Sequence, residues 1–129
     1  MAFELYDYVA ETGVNEFKVW TLALEKIQRA KLNARLDMLK RNGDALFPEI
    51  LAGTGTAGIL KLKIKGNVQL RPLLCRGPMN AGTEYTMLMG ATEVGGKLKP
   101  KNADATANRL KAAVIADSMH RRMKHERVS

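Results

Sequence analysis

Ile59–Arg76 reads ILKLKIKGNVQLRPLLCR, and its opening alternation sets the arrangement of everything around it. Successive side chains of an extended strand point to opposite faces. Leu60, Leu62 and Ile64 therefore share one face, and Lys61, Lys63 and Lys65 share the other. Gly66-Asn67 supplies a turn, after which Val68–Cys75 reads as a second apolar strand carrying Arg71. The product is a hairpin with a greasy underside and four cations on or near its upper face. Such a surface suits a polyanion.

The charge distribution points the same way. The 129-residue chain carries 21 Lys/Arg against 13 Asp/Glu, a formal net charge of +8. Residues 1–50 hold 7 basic and 8 acidic side chains, whereas residues 51–129 hold 14 and 5. No acidic residue lies between Glu49 and Glu84, yet Lys61, Lys63, Lys65, Arg71 and Arg76 all fall in that gap. Basicity concentrated in one half marks a binding face for nucleic acid or another acidic partner. The length allows one core, so residues 1–117 are expected to form a single domain and 118–129 a basic tail. The lone Cys75 excludes an intramolecular disulfide and a cysteine-based zinc site. No apolar run is long enough to span a bilayer, and the opening MAFELYDYVAETG lacks the basic-then-apolar pattern of a secretory signal. The expected setting is a reducing cytoplasm, with no metal, cofactor or membrane involved.

Around the hairpin the elements follow from local chemistry. Phe3–Ala10 is rich in aromatic and β-branched residues and reads as a strand ended by Gly13. Asn15 can cap a helix bearing Phe17, Trp20, Thr21 and Leu24, which bends near Leu24 into a second helix from Glu25 to Asn42. Gly43 falls where a left-handed cap is expected, and Lys40 and Arg41 suit the last turn of the helix dipole. Leu46–Gly58, with Pro48, Gly53, Gly55 and Gly58, reads as a loop, and RGPMNAG (Arg76–Gly82) as a hairpin connection. Glu84–Ala91 is apolar on both sides, as a central strand would be. TEVGGKLKPKN (Thr92–Asn102) reads as a basic loop. Asn102 or Asp104 can cap a last helix with Ala103, Ala107, Leu110 and Val114 on one face. From Ser118 the chain is polar and is expected to fray. The order predicts an α+β fold: N-terminal strand, α-helical hairpin, a three- to four-stranded mainly antiparallel sheet, and a C-terminal helix. The helices are expected on one face of the sheet.

An α-helical hairpin (RAKLNARLDMLKRNG), a strand reading LKLKIK, a turn, and LR leading into an apolar strand together resemble the RelE/HigB superfamily of bacterial toxins, closest to its phage-derived branch. The resemblance covers roughly Phe3 to Val114. It implies a RelE-like fold that cleaves messenger RNA, usually on the ribosome, and is neutralised by an antitoxin of helix-turn-helix type. It also implies that Lys61 and Lys63 match the family's alternating lysines and Arg71 its arginine, the three catalytic candidates. Lys65, Arg76, Lys97, Lys99, Lys101, Arg121 and Arg122 are the expected RNA contacts. The alternative is a non-catalytic RNA- or ribosome-binding phage or prophage regulator with the same fold. A relationship to the superfamily's gyrase-poisoning branch is disfavoured by Lys61, Lys63 and Arg71, which that branch does not need.

Cleavage by internal transfer requires a base for the 2′-hydroxyl, and the usual choice is His or a carboxylate. The hairpin itself offers neither. Lys61 or Lys63 is the candidate base, since clustered like charges lower a lysine pKa. Arg71 is then the planar phosphate clamp. The chain departs from strongly active family members at Gly90-Ala91-Thr92-Glu93, where they place Lys, Arg, His or Tyr. No His or Tyr occurs between Thr86 and Met119, so the leaving-group acid has no candidate there beyond a lysine of the Gly95–Lys101 loop. His120 and His125 read as part of a solvated tail, and Cys75 as a core thiol.

Overall fold

The protein is described from a computed structural model covering residues 2–129. The Ile59–Arg76 stretch forms an antiparallel hairpin in two steps. Strand β3 (Leu60–Leu62) pairs with β5 (Leu73–Arg76), and an isolated Ile64–Leu70 bridge continues the pairing towards the Lys65–Val68 turn. The remaining strands are β1 (Glu4–Tyr8), β2 (Leu51–Gly53), β4 (Gln69–Leu70), β6 (Glu84–Met89), β7 (Thr92–Val94), β8 (Lys97–Lys99) and β9 (Arg122–Lys124). A six-stranded sheet runs β2-β3-β5-β6-β1-β9, and a three-stranded sheet runs β4-β7-β8. Among the described residues only the β1–β6 pair is parallel.

Helices α1 (Glu16–Ala23) and α2 (Lys26–Asn42) bend apart near Leu24 as expected. Asn15 caps α1 by accepting the Lys18 N–H at 3.0 Å. Gly43 ends α2 with φ of 53°, and the Phe3 ring lies where a Cβ would be, so only glycine fits. Phe17, Leu32, Leu36 and Leu39 of these helices pack on Leu60, Leu62, Leu74, Tyr85 and Met87 of the sheet. The last long helix, α3 (Ala103–Ala116), buries Ala103, Ala107 and Val114 on the opposite face, against Ile59, Leu73, Cys75 and Leu88. A short helix α4 (Ser118–Arg121) precedes β9.

The α+β class holds, with β6 central and nearly fully buried. Three expectations are corrected. Helices cover both faces of the sheet rather than one, because α3 presents small alanines that let it lie close over Cys75 and Ile59. The strands outnumber the expected three or four. Leu46–Gly58 holds β2, and Thr92–Asn102 folds into the β7–β8 hairpin around Gly95 and Gly96, whose positive φ values suit the turn. Finally, the tail does not fray. Its β9 pairs antiparallel with β1 and closes that edge of the sheet.

Candidate nucleic-acid interface

Lys61 and Lys63 point to the α3 side of the sheet because Leu60, Leu62 and Ile64 take the other side. The β4–β7 pairing sets Glu93 opposite Gln69, and Lys61 and Arg71 both reach Glu93. Lys61 Nζ donates to Glu93 Oε1 at 2.9 Å, with both side chains about one-fifth exposed (22% and 20%). Arg71 Nε lies 3.3 Å from the same oxygen, a charge contact without hydrogen-bond alignment. The hydrogen bond from Lys61 holds the Glu93 carboxyl below the usual carboxylate range, and the Lys61 and Arg71 charges add to it against the opposing effect of burial.

Arg71 is not on the exposed face. It is 6% exposed, and its guanidinium is engaged by the protein. Nη1 donates to Leu70 O at 2.9 Å and more weakly to Ile64 O at 3.4 Å, while Nη2 donates to Gln69 Oε1 at 3.1 Å. Arg71 thus ties the turn end of the hairpin together and leaves one edge to Glu93. Lys63 is half-buried and Lys65 exposed, and neither has an acidic partner among the described residues.

The other expected contacts are scattered. Lys97 and Lys99 are exposed on β8, but Leu98 alternates between them and opposes Glu93, so both lysines leave the strand on the face away from Glu93. With Lys101, Asn102 and Asp104 they line a separate open groove of about 470 Å³. Arg76 faces α2's end, where its Nε donates to Asp44 at 2.8 Å. Tyr85 also donates to Asp44, and these two bonds outweigh burial to keep the Asp44 carboxyl low.

Arg121 and Arg122 lie on the far edge of the sheet. From β3 to β9 is four strand spacings, about 19 Å. Arg121 donates to Val9 O at 3.3 Å, and Arg122 pairs with buried Glu84 at 2.8 Å and lies 3.8 Å over the Tyr6 ring. His125 donates or accepts at Nδ1 with Asp7 Oδ1 at 2.9 Å, and Asn15 donates to Asp7 Oδ2 at 2.9 Å. His120 is exposed beside Asp117. Cys75 is wholly buried, and burial pushes its thiol up to about 11 against the pull of nearby Lys111, so it is no nucleophile at neutral pH.

One residue at the hairpin was missed by sequence reasoning. Glu93 counted there only as an acid where strongly active members of the resembled family place Lys, Arg, His or Tyr. The signal was available: Glu93 is the sole acidic residue between Glu84 and Asp104, within an otherwise basic stretch. No helix of the described residues is long and apolar enough to cross a membrane. No protein-family model, curated protein or solved structure matches the chain.

Proposed function

We propose that this chain is a RelE/HigB-like endoribonuclease that cleaves messenger RNA, acts in association with the ribosome and is neutralised by an antitoxin. One observation carries the reading: Lys61 and Arg71 converge on a single carboxylate beside half-buried Lys63 and exposed Lys65, at the junction of the two sheets. Cations on a rigid hairpin bind phosphate, and the low exposure of the cluster strengthens each charge contact compared with one in bulk water. Lys61 and Lys63 are the residues that reach the RNA. Arg71 supports them from beneath rather than clamping phosphate directly.

The test is expression in a bacterial cell with mapping of new RNA 5′ ends in translated messages. Growth arrest and new ends are expected from the parent. Lys61→Ala or Lys63→Ala should lower cleavage about 100-fold, the usual loss for one charge-stabilising donor. Arg71→Ala should do the same, with circular dichroism checking that the buried site still folds. If all three variants arrest growth as the parent does, the site is misassigned.

A second reading, the non-catalytic RNA- or ribosome-binding regulator, is favoured by the bonds of both Arg71 Nη groups to the protein itself, at Ile64, Leu70 and Gln69. It requires salt-dependent RNA binding with no new 5′ ends, ribosomes included.

A further inference from the structure

Internal RNA transfer begins when the 2′-hydroxyl loses its proton, and of the two hairpin lysines expected as its base, Lys61 already donates to Glu93. Strand β7 brings that carboxylate in from outside the hairpin. Glu93 is anchored at a single oxygen: Oε1 accepts from Lys61 and faces Arg71, whereas Oε2 has no hydrogen-bond partner among the described residues. The side chain is 20% exposed, and Oε2 is not itself buried, so it meets solvent. Its lateral position is fixed through the ladder opposite Gln69, which is itself held by Arg71 Nη2. A carboxylate with one oxygen tethered and one open offers a lone pair at a fixed position. The same tether lowers its basicity, so position rather than proton affinity is what Glu93 contributes.

We propose that Glu93 is the catalytic base of the reaction inferred above, with Arg71 as its positioning residue and Lys61 and Lys63 as the phosphate-binding cations. The assignment rests on the endoribonuclease reading. In the step, Glu93 Oε2 takes the 2′-hydroxyl proton, the O2′–P bond forms and the P–O5′ bond breaks. Water gives the departing 5′-oxygen its proton, and the hydroxide so formed removes the proton from Glu93. The products are a 2′,3′-cyclic phosphate end and a 5′-hydroxyl end. Lys63 lies two residues along the same face from Lys61, about 7 Å away, a spacing that lets the two ammonium groups flank one phosphate.

Glu93 has a second consequence for binding. A phosphate that takes the Lys61 hydrogen bond competes with Glu93 for it, so the same carboxylate that drives chemistry weakens affinity. Base and competitor separate in one variant. Glu93→Gln keeps the shape and removes the charge, so it should bind RNA as tightly as the parent or more so while cleaving 100- to 10,000-fold more slowly. Glu93→Ala should be equally slow, and added formate should restore cleavage in proportion to its concentration.

The measurement is single-turnover cleavage of a short message programmed on purified bacterial ribosomes, with RNA binding followed in parallel. A Glu93→Gln variant cleaving within threefold of a cleaving parent overturns the assignment, as does a Glu93→Ala loss that formate leaves untouched. A parent that binds the message and leaves it intact sinks the endoribonuclease reading itself, a result distinct from either of those.

Discussion

Gly90 has no room for a side chain. It follows β6 at the point where the Trp20 indole of α1 crosses the sheet, and a Cβ built there would fall inside the ring. Gly90→Ala is expected to force Trp20 aside and to destabilise the fold by about 1–3 kcal/mol, the usual cost of overpacking. Urea denaturation checks it, with the tryptophan fluorescence reporting the displaced indole. In sequence, Gly90 read as part of the Glu84–Ala91 strand and as a departure from the resembled family, with no sign of its contact with Trp20. The same limit applied to the site. Lys61 and Lys63 were legible because alternation alone assigns their face. The roles of Arg71 and Glu93 were not, because they depend on which oxygen atoms each group meets. Arg71 meets carbonyls of its own hairpin, and Glu93 meets a lysine 32 residues earlier in the chain.

At the scale of elements, the C-terminal strand is the least expected part of the fold. Its last residue and those that follow it pair with acids of the N-terminal half: Lys124 with Glu4, His125 with Asp7, and Arg127 with Asp37. Backbone bonds reinforce them, from His125 N to Leu5 O at 2.9 Å and from Asn33 Nδ2 to Val128 O at 2.8 Å. Most of these exposed pairs contribute little individually. The His125–Asp7 pair differs, since Asp7 is 2% exposed and its carboxyl needs partners. His125→Ala should cost about 1–3 kcal/mol by leaving one Asp7 oxygen unsatisfied. His125→Asn should cost less, as its amide can still donate; thermal unfolding of the two variants is the comparison. The three longer helices were readable from their spaced apolar residues, and α1 also from its Asn15 cap, whereas Asn102 makes no side-chain cap to α3. The strands β2, β7, β8 and β9 span three residues each, too few for an alternation to register, and they exist because a neighbouring strand offers a ladder.

For the whole molecule, the division of charge between the halves takes on a specific meaning. Nine of the 14 basic residues of 51–129 fall into two populations that differ in their partners. Arg121, Arg122, Lys124 and Arg127 are absorbed within the fold, by Val9 O or by acids of β1, α2 and β6, whereas Lys63, Lys65, Lys97, Lys99 and Lys101 have no acidic partner among the described residues. Polyanion affinity is therefore expected from the hairpin side and not from the tail. Replacing Lys63 and Lys65 by alanine should flatten the plot of log affinity against log salt for single-stranded RNA by about 1.4, two phosphate contacts' worth. Replacing Lys124 and Arg127 should leave that slope unchanged. Filter binding or fluorescence anisotropy across a salt series measures both.

The position of β1 also has a kinetic consequence. Its two neighbours are distant in the chain, Glu4 meeting Glu84 and Tyr6 meeting Lys124. The hairpin and Glu93, by contrast, come from one continuous stretch. Closing the long loops that bring β6 and β9 to β1 forfeits more chain entropy than closing the hairpin, and contacts between remote segments form slowly. During synthesis, then, β1 emerges before the hairpin but is seated after it, and the hairpin end of the sheet can assemble while the other end still waits for its final strand.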